Sequence, residues 1–289
     1  MASELVARCS PPDHRPSHHH TGDTRQLDFD GHFHHVIAPR HCRYHLYSQP
    51  EFVQCMGGRS ILFIGDSIME GFFQDVGQMF GRPQPSRSSA WCASATSHQT
   101  EYTLPGSVRL SFAKVHAPFR RGLLNVFSKK DELLRRIQRS DVVILGSFYH
   151  DLGLEQPFDT YERNLARLIE MLRPVRQAVP NLRLIWMLPT MSARSTRAAD
   201  DCLTPLWPNQ QPATVKFGIS IALRAMRDAG IETFDTFSLM STSDQRWFAP
   251  GNIGHLHACY GTRPTGGKFG GGLSKMITQA LVGKICSSA

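Results

Sequence analysis

One stretch limits the possible folds more than any other: Ser60-Ile-Leu-Phe-Ile-Gly-Asp-Ser-Ile-Met-Glu-Gly-Phe-Phe73. Residues 61–64 are a continuous apolar run, too short for a helix and rich in β-branched and aromatic side chains, which suits a strand buried on both faces. The run stops at Gly65-Asp66-Ser67, and from Ile68 the apolar positions Ile68, Phe72, Val76 and Met79/Phe80 recur at helical spacing. A strand that gives way to a helix through a tight turn places the turn at the carboxyl edge of a sheet, where open α/β folds bind ligands. Ser67 stands on that turn. Two readings compete there: a serine that merely caps the helix, or a hydroxyl facing a crevice beside a helix amino end able to hold an oxyanion.

The rest of the chain repeats the alternation. Val108, Leu110 and Phe112 alternate with polar residues as in a strand, and Asp131 to Arg139 reads as a short helix. Asp141 to Gly146 is a second buried strand. It is followed by a long helix with the inner stripe Tyr161, Leu165, Leu168, Leu172 and Val175, closed by Pro180. Leu182–Leu188 is the next strand, Val215, Ile219, Leu223 and Met226 mark a helix, and Ile231–Phe234 is the last strand. A closing helix runs from Ser274 to about Ile285. Strands alternating with helices require a mostly parallel sheet covered on both faces, hence a three-layer α/β/α sandwich. Residues 1–40, polar and rich in His and Pro, form a flexible lead-in to one domain over 41–289.

Composition narrows the function classes. The net charge of +8 favours anionic partners, but the basic residues are spread along helical faces and no nucleic-acid motif accompanies them. The histidine clusters at 18–20 and 32–35 lack accompanying carboxylates or thiols, and the seven cysteines lack CxxC pairs, so no metal is expected. No cofactor is expected either: the run Gly266–Gly272 follows no strand, and its Lys268 precedes Phe269 rather than Ser or Thr. No apolar run approaches a membrane span and the first residues lack a signal-peptide core, so the sequence as written points to a soluble, cytoplasmic chain. Cys42/Cys55 and Cys259/Cys286 are candidate disulfides if the compartment is oxidising. Nothing in the sequence speaks to oligomeric state.

A serine nucleophile needs a base, a group that orients the base, and donors for the oxyanion. Histidines at the right edge are His150, after the second buried strand, and His255 and His257 in a late coil. With Gly65-Asp66-Ser67, the block Asp141-Val-Val-Ile-Leu-Gly-Ser-Phe-Tyr-His150-Asp151-Leu152 and that coil in order, the chain resembles the SGNH/GDSL hydrolases. Within them it is most similar to the PC-esterase branch, which includes glycan O-acetyltransferases and esterases. The similarity runs from about Cys42 to Cys286.

The resemblance implies a flavodoxin-like sheet and a serine-dependent esterase or O-acyltransferase acting on a small-molecule or glycan ester, with O-acetyl groups on glycans as the expected substrate; the positive charge, separately, points toward acidic ones. Ser67 matches the nucleophile, and its own N–H would be one oxyanion donor. His150 falls where the branch has Gly-x-His-Asp and would be a second donor, with Asp151 structural beside it. Gly106 is the match for the central oxyanion glycine, and Asp66 is expected to turn inward and fix the elbow. The base belongs to an Asp-x-x-His element; Asn252-Ile-Gly-His255 has that spacing with an amide in place of the acid. His255 is then the base and Asn252 its orienter, with His257 as the alternative base and Asp235 or Asp244 as substitute acids. Loss of the acid also leaves open a binding or scaffold protein that has kept only the fold. Finally, the resemblance implies that both cysteine pairs are closed in a secretory or Golgi lumen, against the cytoplasmic reading of the amino terminus.

Overall fold

In the computed structural model, residues 7–9, 42–81, 101–114, 130–146, 151, 158–190, 212–241 and 272–287 are described. In chain order the elements are β1 (Ala7–Cys9), β2 (Cys42–Tyr44), α1 (Gln49–Met56), β3 (Ser60–Gly65), α2 (Ser67–Met79), β4 (Glu101–Leu104), β5 (Val108–Lys114) and α3 (Lys130–Gln138). There follow β6 (Val142–Gly146), α4 (Phe158–Ala178), β7 (Arg183–Met187), α5 (Pro212–Asp228), β8 (Glu232–Phe234), α6 (Thr236–Ser241) and α7 (Gly272–Cys286). Six strands form one sheet in the order β4-β5-β3-β6-β7-β8. All neighbours are parallel except β4, which runs antiparallel along the β5 edge.

Each inner strand divides its side chains between two cores, as a period of two dictates. Ile61 and Phe63 of β3, Ile144 of β6 and Met187 of β7 pack with Phe52, Phe73 and Ile277 from α1, α2 and α7. Leu62, Ile64, Leu145 and Trp186 face the other way, onto Ile137, Leu165 and Met226 from α3, α4 and α5. This is the expected three-layer α/β/α sandwich. All five parallel strands run the same way, but the chain adds β5 on one side of β3 and then β6, β7 and β8 successively on the other. The order reverses between β3 and β6, and in such sheets the ligand crevice opens at that point.

Several elements depart from the sequence expectation. Residues 7–9, within the lead-in, pair as a strand with residues 42–44. Helix α1 begins with a capping box that the sequence carries in plain view: the Ser48 side chain accepts from the Glu51 N–H while the Glu51 carboxylate accepts from the Ser48 N–H. The cysteine pairing also differs. Cys55 is bonded to Cys286, which excludes both Cys42/Cys55 and Cys259/Cys286. The cause is topological: α7 runs back along the sheet and ends at its amino edge, where α1 also ends.

That amino edge is tightly bolted. The Asp141 carboxylate accepts from the Ser60 N–H (2.7 Å) and hydroxyl (2.8 Å), fastening the start of β6 to the start of β3. Arg183, at the start of β7, makes a bidentate contact to Glu232 of β8 and also donates to the carbonyls of Lys284 and Ile285 at the end of α7. Lys284 closes the cluster, 3.0 Å from Glu232. Burial works against ionisation of Glu232, but hydrogen bonds from Arg183 and Lys284, with their charges, outweigh it and hold the carboxyl below its usual range. A groove of about 550 Å³ lies at this edge, lined in part by His45, Tyr47, Arg59 and the Cys55–Cys286 disulfide.

Candidate active site

The opposite, carboxyl edge carries the elbow. β3 ends at Gly65 directly beside Gly146, where β6 ends. A side chain has no room at Gly65: a Cβ there would lie 2.1 Å from the Gly146 carbonyl oxygen and 2.6 Å from the Met69 Cβ. Glycine therefore lets the ends of β3 and β6 and the first turn of α2 converge. Asp66 follows in extended backbone and caps α2, its Oδ1 accepting from the N–H groups of Ile68 (2.9 Å) and Met69 (3.4 Å). At 5 % exposure it turns inward, as anticipated. Since Asp66 fills the cap, the reading of Ser67 as a capping serine is removed. Ser67 is the first residue of α2, at the helix end where unpaired N–H groups and the helix dipole favour negative charge.

The same edge receives the second block. The chain leaves the sheet at Gly146, beside the elbow, and reaches Asp151, which is buried. Tyr161 of α4 is fully buried near it: burial, and secondarily the Asp151 carboxylate, push the phenol well above its ordinary range. Thus the block holding His150 sets out from the strand adjacent to Ser67, at the point where the strand order reverses. His150 itself, with Asn252, His255, His257 and Asp244, lies outside the described residues, as do the histidine clusters at 18–20 and 32–35.

Two expected participants are placed elsewhere. Gly106 precedes β5, which is parallel to β3, so it lies at the amino edge, about 17 Å of strand from the elbow. There it has φ 71° and packs against Val53, and its carbonyl accepts from the Gly58 N–H, all of which are turn functions. Gly106 is therefore not an oxyanion glycine. Asp235 follows β8, three strands and about 14 Å away from β3 across the sheet, and its carboxylate caps α6 by accepting from the Ser238 N–H and hydroxyl. Its carboxylate is thus engaged by its own helix.

The elbow also has neighbours that the sequence reading passed over. Lys114, the last residue of β5, is in register with Gly65. Its Nζ lies 3.0 Å from Oε2 of Glu70, three residues after Ser67, and the pair is 24 % and 15 % exposed. A lysine closing an alternating strand and a glutamate at i+3 from the turn serine were the available signals; their meeting depends on β5 lying next to β3.

With a mostly parallel sheet of this order, sandwiched between helices and followed at its central strand by Gly-Asp-Ser, the chain has the SGNH/GDSL hydrolase fold. Among solved structures it is similar to a peptidoglycan O-acetylesterase at 11% identity, covering 83% of this chain and 95% of that one with a TM-score of 0.50. It is also similar to a lipase/acylhydrolase from Enterococcus faecalis (13% identity, 80% and 96% coverage, TM-score 0.47) and to a GDSL-like lipase from Parabacteroides merdae (13%, 79% and 97%, 0.47). No family model matches the sequence, and no curated protein matches it. Among the described residues no helix is long and apolar enough to cross a membrane.

Proposed function

We propose that the chain is a serine-dependent ester hydrolase or O-acyltransferase. The observation that carries this reading is the elbow: Ser67 begins α2 beside Gly65 and Gly146, at the reversal of strand order, with its capping role already taken by Asp66. The Ser67 oxygen adds to the ester carbonyl carbon and its proton passes to His255, or to His257 as the alternative. The resulting oxyanion is held by the Ser67 N–H and by His150. Collapse breaks the carbon–oxygen bond, the departing alcohol takes the proton, and the acyl group then passes to water or to a sugar hydroxyl.

The expected substrate class is an O-acetylated glycan, in keeping with the PC-esterase resemblance; the net charge of +8 favours an acidic one. The Cys55–Cys286 disulfide supports maturation in an oxidising, secretory compartment rather than the cytoplasm. A second reading, a scaffold that has kept the fold without the chemistry, is favoured by Asn252: an amide can hold an imidazole tautomer but cannot neutralise an imidazolium.

A fluorophosphonate probe separates the two. The enzyme reading expects covalent labelling that Ser67→Ala abolishes without lowering Tm. A wild-type chain that stays unlabelled while correctly folded leaves the scaffold reading.

A further inference from the structure

We infer that the Lys114–Glu70 ion pair is an electrostatic balance for the nucleophile elbow: Lys114 cancels a carboxylate that would otherwise oppose the oxyanion formed at Ser67. The inference rests on the hydrolase reading above and adds two positioning residues to it.

Three observations meet here. Glu70 stands one turn after Ser67, and positions i and i+3 are neighbours on a helix surface, about 5–6 Å apart at their Cβ atoms. Side chains on a helix lean toward its amino end, so Glu70 reaches back over the turn that holds Ser67. Lys114 comes from a different element, the end of β5 in register with Gly65, and meets Glu70 at 3.0 Å in a partly buried setting, where solvent screens less than at the open surface.

The local charge count gives the pair its meaning. Asp66 at the cap and Glu70 in the first turn place two carboxylates at the start of α2, and Lys114 is a cation paired with Glu70. Acidic groups near a helix amino end stabilise the helix. They also oppose the negative charge that develops on the substrate oxygen when Ser67 attacks. Asp66 spends its charge on the Ile68 and Met69 N–H groups, and Glu70 spends its own on Lys114. The helix keeps its favourable first turn while the oxyanion site is spared a bare carboxylate.

A structural brace would be weakened by removing either partner. An electrostatic balance predicts opposite signs for the two. Removing the cation exposes the Glu70 charge; removing the carboxylate leaves a free ammonium beside the oxyanion. A bare unit charge one helical turn from Ser67 changes the rate about 10- to 100-fold at the effective dielectric of a protein rim.

The test measures fluorophosphonate labelling rate and turnover of a neutral aryl acetate for wild type, Lys114→Gln, Lys114→Arg, Glu70→Gln and the double variant Lys114→Gln/Glu70→Gln, with Tm recorded for each. The expected pattern is a loss of about 10- to 100-fold in kcat for Lys114→Gln, retention in Lys114→Arg, no loss or a gain for Glu70→Gln, and recovery in the double variant to within about threefold of wild type. The Lys114→Arg variant keeps the comparison usable should the glutamine variant fold poorly. Equal losses for the two single variants with no recovery in the double, or no change in any of them, overturn the inference while leaving the hydrolase reading in place. A folded wild type that neither labels nor turns over overturns both.

Discussion

The two edges of the sheet are built for different purposes. At the amino edge, charges and covalent bonds tie elements remote in sequence: Cys55 to Cys286, Asp141 to Ser60, and Arg183 to Glu232 and the end of α7. At the carboxyl edge, glycines at 65 and 146 let the ends of β3 and β6 and the first turn of α2 converge, and Lys114 of β5 reaches Glu70 of α2. One edge ties the ends of the chain together, while the other gathers the polar groups Asp66, Glu70, Lys114 and Asp151 around the elbow.

Three variants bear on that division. The largest expected effect on stability lies at the amino edge. Removing the disulfide with Cys55→Ser and Cys286→Ser releases a chain segment of 231 residues, and should cost about 3–5 kcal/mol, seen as a drop of roughly 10 °C in Tm. Labelling of Ser67 below the transition should stay within about twofold of wild type. If labelling collapses with the disulfide, the two edges are not independent.

Next comes Gly65→Ala at the other edge. Its Cβ would lie 2.1 Å from the Gly146 oxygen, so the ends of β3 and β6 must part, at a cost of about 2–4 kcal/mol. Here labelling should vanish well before the fold does. Unchanged labelling at Gly65→Ala would show that the elbow is not the reacting centre.

The smallest effect concerns pH. Glu232 has a folded pKa below its unfolded value, so its contribution is fully present above the ordinary carboxylate range and is lost as pH falls through the lowered folded value. Because the group is partly exposed, solvent screening limits that contribution to roughly 1 kcal/mol. Glu232→Gln should therefore melt below wild type at pH 7, and the gap should close as the buffer is taken below about pH 4. A gap that persists in acid would assign the effect to packing rather than charge.

Much of the framework was legible from local pattern. Ile61–Ile64 lies inside β3, the Ile68 periodicity became α2, and the stripe from Tyr161 to Val175 is buried along α4. β4 is faint in the sequence because Tyr102 and Leu104 give only one period of alternation, whereas the start of α1 is marked by its Ser48/Glu51 box. The site was legible in part: Ser67 and Asp66 stand where a strand-to-helix turn puts them. Gly106 was misplaced because a glycine before a strand looks the same whichever edge that strand starts from.

The sequence by itself determined where the inner strands and the long helices lie, and that a Gly-Asp-Ser turn joins two of them, since side-chain periods and turn chemistry act over a few residues. Only the tertiary structure decided that Cys55 meets Cys286, that Gly106 lies a full strand length from Ser67, and that Lys114 reaches Glu70. Those outcomes follow from which strands are neighbours and in which direction they run. That is a property of the whole sheet's packing, and no window along the chain contains it.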